Sequence, residues 1–474
     1  MNNKYLGITL TAILNCIIAG AQHHNEVPRL VVNVIVEQMN TNHLEAYCGA
    51  FSENGLRKLI HNGKTYRNAH YSFMPSDKTA ALASIVTGST PYYNGIVGAQ
   101  WLDRTTLIPT SCVDDSRYYD FGTNTKSSPS QIASSTIGDE LKVASKGEAI
   151  VYGIAHDRDA AIISAGHSAD GAFWIDNNSK QWCTSSYYSK KAPKWLNAYN
   201  NIVKRQYNYD NCHITDMALQ CIDSNIMGYD DVTDMIFVTY NILKENKNDI
   251  KESYLKLDRN IEKLISHIEN KFGKDNILIV LTSSGFEDKS DEEYEKYRIP
   301  SGTFYINRSA NLLNMYLSAI YGHDKYIDAC FYNNIYLNTR MIDERRLNCN
   351  DILEHCKSFL MQNSGVQNVY TSNNITSSLS SDKIRNGFNA FHSGDIIIET
   401  MPGWKLFNED NQQQYKSPFR FTPYPIIFYG AGIISDKNDG HVIMERIAPT
   451  IAKSIQIRAL THVTPLHFSK SALY

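Results

Sequence analysis

The sequence predicts an α/β fold with a largely parallel central sheet. Short runs of β-branched and aliphatic residues recur along the chain and alternate with longer amphipathic segments, which is typical of strands and helices in such a sheet. Between about residues 286 and 394 the sequence becomes polar and rich in Asn and Tyr, which indicates an inserted subdomain. The core is therefore predicted in two parts, 22–285 and 395–474, on either side of an insertion at 286–394.

The predicted strands are short and rich in Val and Ile, as buried strands usually are. They are LVVNVIV (30–36), AIVYGIA (149–155), MIFVTY (235–240), ILIVL (277–281), DIIIE (395–399) and PIIFYG (425–430). The segment ESYLKLDRNIEKLISHIENKFG predicts a long helix before the strand at 277. Its apolar residues at helical spacing form one buried stripe: Leu257, Ile261, Leu264, Ile265 and Ile268.

The N-terminus has the parts of a secretory signal peptide, residues 1–21, with cleavage expected after Ala21. Lys4 precedes an apolar stretch from Leu6 to about Ala19, and small residues follow. A membrane anchor is the alternative, but the apolar run is shorter than the roughly 20 residues that a spanning helix needs. A lipoprotein at Cys16 would follow Asn15, a poor small-residue neighbour. The mature protein is therefore expected to be periplasmic, outer-membrane-associated or secreted, with no transmembrane segment.

Net charge and cysteine spacing exclude two classes of protein. A net charge of -3 argues against a nucleic-acid binder that depends on a basic surface. No two cysteines have the C-x-x-C spacing of a zinc ribbon, and their pairing cannot be deduced from sequence. We expect buried or singly paired cysteines among those that remain after cleavage, at positions 48, 112, 183, 212, 221, 330, 349 and 356.

Eight segments spread over the mature chain carry a resemblance to a known superfamily. They are LVVNVIVEQM, ASIVTGSTPYYNGIVGAQWLDR, TIGDELK, GIAHDRDAAIISAGHSADGAFWID, YLKLDRNI, GDIIIETMPGW, PIIFYGAGI and IAPTIA. Together they resemble the alkaline phosphatase superfamily, in particular the secreted alkaline phosphatases with a threonine nucleophile and the related nucleotide pyrophosphatase/phosphodiesterases. The resemblance implies a three-layer α/β/α sandwich and a phosphohydrolase with two zinc ions.

The positions that match the superfamily's catalytic residues carry different side chains here. The nucleophile position falls on Lys78. The expected aspartate of the first strand is Glu37, and a histidine expected shortly after the third strand has no counterpart in NILKENKND (241–249). The other expected metal ligands are replaced by neutral groups at Asn241, Ser283, Ser284 and Pro423. Neutral amide, hydroxyl and proline groups cannot hold two dications against water, so no bound metal is expected at these positions.

The groups that would hold the substrate phosphate are only partly present. The resemblance places Ala99 where an asparagine is expected, and His156 where the lysine of a Lys-x-Arg pair is expected, although Arg158 is retained. Because Arg binds phosphate bidentately, His156, Arg158 and Lys78 are a possible anion site. A structural salt bridge from Arg158 to Asp157, to Asp159 or to an acid elsewhere in the chain is the alternative.

Lys78 itself has two interpretations. Its ammonium could enter the volume vacated by zinc and pair with Glu37, or it could point to solvent from the first turn of a helix. Thr79 is a weak rival nucleophile, because a step of one residue rotates its side chain by about 100°; a helix-terminal or surface threonine is the alternative. Ser76 and Asp77 are expected to cap this helix.

These observations favour a catalytically inactive protein, a pseudophosphatase that serves as a binding or structural subunit in the cell envelope. We expect a protein partner, no nucleic acid and no cofactor. The alternative is an active phosphomonoesterase or phosphodiesterase with two zinc ions. A third hypothesis is a soluble anion-binding protein that uses Arg158 and Lys78. His167 is expected to be a hydrogen-bonded scaffold residue.

Overall fold

An eleven-stranded sheet forms the centre of the protein, and three smaller sheets lie beside it. This computed structural model describes residues 27–74, 77–203, 210–242, 250–285, 296–376, 382–416, 423–458, 460–461, 463–466 and 468. The predicted signal peptide, residues 1–21, and Ser76 lie outside these ranges.

The described strands are, in chain order, β1 (Leu30–Glu37), β2 (Lys64–His70), β3 (Gln100–Leu102), β4 (Pro109–Ser111), β5 (Asp114–Phe121), β6 (Lys126–Ser127), β7 (Val151–Ile154), β8 (Gly171–Ile175), β9 (Trp182–Ser185), β10 (Asp234–Asn241), β11 (Ile277–Ser283), β12 (Gly302–Tyr305), β13 (Ile327–Phe331), β14 (Asn334–Leu337), β15 (Val366–Thr371), β16 (Ile396–Thr400), β17 (Trp404–Asn408), β18 (Gln413–Lys416), β19 (Tyr424–Gly430) and β20 (Asp436–Ile443).

The described α-helices are α1 (Thr41–Tyr47), α2 (Leu56–Asn62), α3 (Lys78–Thr87), α4 (Pro91–Asn94), α5 (Ile137–Ala144), α6 (Arg158–Ala165), α7 (Lys194–Val203), α8 (Asn211–Ser224), α9 (Ile250–Phe272), α10 (Ile306–Tyr321), α11 (Thr339–Glu344), α12 (Cys349–Leu360), α13 (Ser372–Thr376), α14 (Asp382–Gly387) and α15 (Ile447–Ser454). None of the described helices is both long enough and apolar enough to cross a membrane. The eight cysteines of the described residues are free thiols.

The central sheet has the strand order β20-β2-β19-β11-β1-β10-β7-β8-β9-β5-β6. Its middle strands, from β11 to β8, run parallel to one another. Strands β19 and β9, which flank this parallel block, are antiparallel to their neighbours. The parallel block is the part of the sheet that brings several strand ends to one edge.

Helices cover both faces of this sheet, as the alternation along β1 shows. Val31 and Ile35 face a core that is shared with α3, α5, α6 and α15. Val32 and Val34 point to the opposite face, into a core shared with α1, α2, α8 and α9. Successive strand residues point to opposite faces, so the sheet is the middle layer of an α/β/α sandwich. The predicted fold class is confirmed.

The predicted long helix and five of the six predicted strands take their expected places. Helix α9 buries the predicted apolar stripe against the sheet, and each of these five residues is at most 1% exposed: Leu257, Ile261, Leu264, Ile265 and Ile268. Strands β1, β7, β10, β11 and β19 lie in the central sheet. Strand β19, from the predicted segment PIIFYG, is antiparallel to β11.

The sixth predicted strand, DIIIE, belongs to a different sheet. Its residues form β16, which pairs with β14 and β15 in the four-stranded sheet β13-β14-β16-β15. The prediction that the central sheet resumes at residue 395 is therefore wrong. The physical reason is that a short apolar run predicts a buried strand but does not show whether the strand belongs to the central sheet or to another sheet. The chain returns to the central sheet at β19.

The three-stranded and four-stranded sheets have a core of their own. Helices α10 and α12 pack on strands β13 to β17 around side chains such as Leu313, Leu337, Leu353 and Ile398. Strands β12, β17 and β18 form a separate three-stranded sheet in the same region. The described residues between 302 and 416 thus contribute a third hydrophobic core beside those on the two faces of the central sheet.

Candidate functional site

A cavity of about 310 Å³ lies at the carboxyl ends of the parallel strands. Glu37, the last residue of β1, is in register with Asn241 at the end of β10, and Val36 is in register with Ser283 at the end of β11. This edge is where ligands bind in open α/β sheets. The residues that line the cavity are Glu37, Lys78, Thr79, Leu82, Ala99, Asp157, Arg158, Asp159, Ala160, Thr239 and Ser284.

Asp77 fixes the start of helix α3 and so positions Lys78. Its Oδ1 accepts hydrogen bonds from the N–H groups of Thr79 (2.9 Å) and Ala80 (3.1 Å), and its Oδ2 accepts one from the N–H of Ala99 (2.6 Å). Burial raises the pKa of Asp77, and the three N–H groups oppose this rise. The predicted capping role of Asp77 is confirmed, and the same carboxylate also holds the loop at Ala99.

Lys78 reaches into the cavity and contacts two carboxylates. Its Nζ donates a hydrogen bond to Glu37 Oε2 at 2.9 Å and a second one to Asp157 Oδ2. The Lys78 side chain is 39% exposed and that of Glu37 is 8% exposed. The predicted pair between Lys78 and Glu37 is therefore present, and the alternative of a solvent-directed lysine is wrong. Asp157 is a second partner that the sequence did not predict for Lys78.

Burial and charge shift the pKa values of these three groups in different directions. Burial raises the pKa of Glu37 to about 7, although the Lys78 ammonium opposes the rise. Burial also disfavours the charged form of Lys78, but the two carboxylates outweigh it and raise the pKa of Lys78 above its usual range. The His156 imidazole, whose Nδ1 lies 3.6 Å from Asp157 Oδ1, and Lys78 hold the pKa of Asp157 well below its usual range. Lys78 is consequently a protonated amine at neutral pH.

The raised pKa of Glu37 predicts a pH-dependent stability. The ordinary pKa of 4.5 rises to about 7 in the folded protein, so between these values the folded state holds a proton that the unfolded chain has released. Stability must then fall as the pH rises through this window. We expect the free energy of unfolding to decrease relative to that of Glu37→Gln by about 1 kcal/mol per pH unit. Urea denaturation of both proteins at pH 5, 6, 7 and 8 measures this difference.

The carboxylate Glu45 provides the control, because its side chain is 38% exposed and that of Glu37 is 8% exposed. Glu45→Gln should leave the pH dependence of stability between pH 5 and 7 as it is in the unmodified protein. A stability difference between Glu37→Gln and the unmodified protein that stays constant over the same range would contradict the raised pKa.

Arg158, the other cation at the cavity, is also paired with acids. Its Nη2 donates to Asp114 Oδ1 at 2.8 Å, and its Nε donates to Asp159 Oδ1 at 3.3 Å. The salt bridges to Asp159 and, elsewhere in the chain, to Asp114 are among the predicted alternatives, whereas Asp157 contacts Lys78 instead. Both cations therefore already face carboxylates, which outnumber them around the cavity.

The remaining positions that match the superfamily's metal ligands offer neutral oxygen atoms. Asn241 Oδ1 and Ser284 Oγ are buried without a hydrogen-bond partner among the described residues. Ser283 Oγ accepts the N–H of Gly285 at 3.1 Å. Pro423 contributes its carbonyl oxygen to the N–H of Thr41, also at 3.1 Å.

These oxygen atoms do not form a suitable ligand set for two zinc ions. Zinc in proteins is held by thiolates, imidazoles and carboxylates, commonly three for each catalytic ion. No imidazole or thiolate is among the described residues that line the cavity, and the Glu37 carboxylate is already bound to the Lys78 ammonium. An ammonium 2.9 Å from the carboxylate also repels a dication from that position.

Two further sequence predictions can be compared with the structure. Thr79 is the second residue of α3, as the helix-terminal alternative predicted, but it is 5% exposed and lines the same cavity as Lys78, so it is not a surface residue. His167 is a scaffold residue as predicted. Its Nδ1 contacts Asp139 Oδ2 at 3.0 Å and its Nε2 contacts the carbonyl oxygen of Ile132 at 3.1 Å.

A second cavity, of about 210 Å³, lies between the central fold and the smaller sheets. Aromatic side chains line much of it: Trp101, Phe331, Tyr332, Tyr336, Tyr370 and Tyr415. Glu399, 7% exposed, also lines this cavity and accepts hydrogen bonds from the Tyr370 hydroxyl (2.7 Å) and Asn368 Nδ2 (2.8 Å). The sequence did not predict this cavity. The high Tyr content of the predicted insertion was the one available signal.

The fold and the position of the first cavity define a protein of the alkaline phosphatase superfamily. The family described as type I phosphodiesterase / nucleotide pyrophosphatase matches residues 31–423, and the chain belongs to this family. The resemblance inferred from the sequence is confirmed.

Individual relatives are similar over nearly the whole chain. Alkaline phosphatase PafA of Elizabethkingia meningoseptica is 26% identical, over 93% of this chain and 94% of its own. Alkaline phosphatase PhoV of Synechococcus elongatus is 22% identical, over 97% of both chains. The crystal structure of wild-type PafA matches with a TM-score of 0.80 and 25% identity, over 91% of this chain and 96% of that one. Human ectonucleotide pyrophosphatase / phosphodiesterase 5 shares the fold, with a TM-score of 0.56 and 11% identity over 91% and 96% of the two chains.

Proposed function

We propose that this protein is a catalytically inactive member of its family, and that it acts as a binding or structural subunit in the cell envelope. One observation carries the proposal. The residue at the position of the family's hydroxyl nucleophile is Lys78, and its ammonium is bound to Glu37 and Asp157.

A protonated amine at this position cannot begin phosphoryl transfer. A nucleophile needs a free lone pair, and an amine has one at neutral pH only when its pKa is lowered. The neighbouring carboxylates raise the pKa of Lys78 instead. The ion pairs therefore stabilise the form of the side chain that has no lone pair.

The balance of charge at the cavity also disfavours a phosphate ligand. Lys78 and Arg158 are the cations among the described lining residues, and Glu37, Asp157 and Asp159 are the acids. Asp114 adds a further carboxylate 2.8 Å from Arg158. An anion would have to displace these partners and approach uncompensated carboxylates, which supports an inactive protein over the anion-binding hypothesis based on His156, Arg158 and Lys78.

A binding role has candidate places elsewhere on the molecule. The aromatic cavity with buried Glu399 is a concave, mostly apolar site with a few polar groups, the usual character of a ligand pocket. Tyr92, Tyr93 and Phe391 are 44%, 65% and 80% exposed, and exposed aromatic side chains are enriched where proteins bind one another. These features support the proposed protein partner of an exported protein.

The second candidate function is a zinc-dependent phosphomonoesterase or phosphodiesterase. The names of relatives such as PafA and PhoV, both alkaline phosphatases, favour it. It would require ligands other than the neutral groups at Asn241, Ser283, Ser284 and Pro423, and a nucleophile other than Lys78.

We expect the purified mature protein not to hydrolyse aryl phosphate mono- or diesters above the rate in buffer, with or without added zinc. The reason is that the residue at the nucleophile position is a protonated amine and the lining residues do not form a ligand set for two zinc ions. Release of the aryl alcohol, followed by absorbance over several hours, measures this. Hydrolysis that a chelator abolishes and zinc restores would overturn the proposal.

The variant Lys78→Thr sharpens this test. It restores a hydroxyl at the nucleophile position, but an alcohol without a metal or a base beside it stays protonated at neutral pH. We therefore expect Lys78→Thr to be as inactive as the unmodified protein. Activity gained by this single substitution would mean that metal is bound at the cavity after all.

A further inference from the structure

Strand β16 turns a carboxylate, Glu399, towards the aromatic cavity. Ile397 and Glu399 line this cavity, whereas Ile396 and Ile398 lie on the opposite face of the strand, in the core of the three-stranded and four-stranded sheets. Successive strand residues point to opposite faces, so the side chain of Glu399 leaves that core and enters the cavity. It is only 7% exposed, which makes it a buried acid at the wall of a binding-sized space.

The protein uses only one of the two oxygen atoms of this carboxylate. Asn368 lies opposite Glu399 on β15, and its Nδ2 and the Tyr370 hydroxyl both donate to Oε2, at 2.8 Å and 2.7 Å. Oε1 has no hydrogen-bond partner among the described residues, and it is accessible from the cavity. The two donors fix the side chain, so Oε1 is held in place as an acceptor for a ligand.

The charges around the cavity leave Glu399 uncompensated. Its contacts among the described residues are the neutral groups of Asn368 and Tyr370, and it forms no salt bridge with Lys383, which also lines the cavity. Asp77, the other lining acid, binds backbone N–H groups through both of its oxygen atoms. Burial lowers the pKa of His392, so this imidazole adds no positive charge at neutral pH. A buried charge without a partner is costly, and a cationic ligand would supply the partner.

The aromatic side chains of the cavity also suit a cation. A positive group is attracted to the face of a Trp, Tyr or Phe ring within about 6 Å, and six such side chains line this cavity. The hydroxyls of Tyr332 and Tyr415 have no hydrogen-bond partner among the described residues. Burial, Asp77 and Glu399 raise the pKa of Tyr415, which places its hydroxyl close to both acids. Two hydroxyls and Glu399 Oε1 offer three oxygen atoms, and an ammonium group has three donors.

We propose that the aromatic cavity binds a primary ammonium group carried on an apolar stem, with the ammonium at Glu399 Oε1 and the stem among the aromatic side chains. A cavity of about 150 Å³ is enough for benzene, so 210 Å³ accommodates roughly eight non-hydrogen atoms. A neutral ligand would leave the charge of Glu399 uncompensated, and an anion would be repelled by it. The inference rests on the proposed binding role and is independent of the proposed lack of phosphatase activity, which the hydrolysis assay tests separately.

Calorimetric titration of the full-length mature protein at pH 7 tests the proposal with two amines. 2-Phenylethylammonium represents a free amine, and Nα-acetyl-lysine amide represents a lysine side chain of a protein. We expect at least one of them to bind with a dissociation constant below about 1 mM. The neutral compound with the matching stem, 2-phenylethanol or Nα-acetyl-norleucine amide, should bind at least about tenfold more weakly. Absence of binding by both amines, or equal affinities of the bound amine and its neutral analogue, would overturn the proposal.

Variants assign the binding to this cavity. Glu399→Gln should weaken the amine at least about tenfold and change the affinity of the neutral analogue little, a selective loss that general damage to the cavity would not produce. Tyr415→Phe, which removes one hydroxyl, should weaken the amine about threefold or more. Glu37→Gln is the matched control, because Glu37 lines the first cavity, and this variant should bind as the unmodified protein does. Unchanged amine affinity in both cavity variants, equal losses for the amine and its neutral analogue in Glu399→Gln, or a loss in Glu37→Gln would each contradict the site.

Discussion

Asp77→Ala is expected to lower the free energy of unfolding by roughly 2–4 kcal/mol, because it removes a helix cap and a hydrogen bond to a charged acceptor. The carboxylate accepts the N–H groups of Thr79, Ala80 and Ala99. Without it, three donors at a buried helix start lose their acceptor. Urea denaturation followed by circular dichroism measures the loss.

Asp77→Asn is the matched variant for this prediction. The amide oxygen can still cap Thr79 and Ala80, while the amide nitrogen would face the N–H of Ala99 and lose that bond. We expect a loss of stability between those of the unmodified protein and Asp77→Ala. Equal stabilities of the alanine variant and the unmodified protein would show that water replaces the carboxylate at no cost.

The second large effect is expected from Lys78→Met. Removing one partner of a buried ion pair typically costs about 3–5 kcal/mol, but 39% of the Lys78 side chain is exposed, and solvent screening reduces the value. We expect a loss of about 1–2 kcal/mol in the free energy of unfolding at pH 8, above the pKa of about 7 of Glu37. Guanidinium denaturation of the single variants and of Lys78→Met combined with Glu37→Gln gives the coupling energy directly.

The double variant should recover part of the loss caused by Lys78→Met, because Gln at position 37 has no charge to leave unpaired, whereas Asp157 still loses its Lys78 partner. Lys263→Met supplies a comparison. Lys263 is paired with Asp216 in a bridge whose side chains are 53% and 40% exposed, so its removal should change stability by less than about 0.5 kcal/mol. Strictly additive effects of the changes at positions 78 and 37 would contradict the coupling.

The core strands could be predicted from the sequence because parallel strands buried on both faces are continuous apolar runs. The same property explains the wrong prediction for β16, since a buried apolar run has the same pattern in the central sheet and in the four-stranded sheet. The sequence also does not show the direction of β19, which is antiparallel to β11. Only the spatial arrangement of distant segments decides these two features.

The candidate site was predictable where one strand end and one helix start determine it. Glu37 ends a predicted strand and Lys78 begins helix α3, and the resemblance places both at the site. Their pairing could therefore be predicted. The carboxylates Asp157 and Asp114 come from other elements, and no spacing in the sequence says which cation each would contact.

The order of strands in the central sheet constrains how the chain can fold as it is synthesised. Strand β2 lies between β19 and β20, so both of its partners are made about 360 residues after it. At typical translation rates this delay is roughly 20–70 s, during which β2 and one edge of β11 present unpaired backbone groups. The three-stranded and four-stranded sheets, formed by strands β12 to β18, are complete before that edge closes. A chain that terminates before residue 424 would keep open strand edges, and it would be a substrate for chaperones and proteases instead of a smaller folded protein.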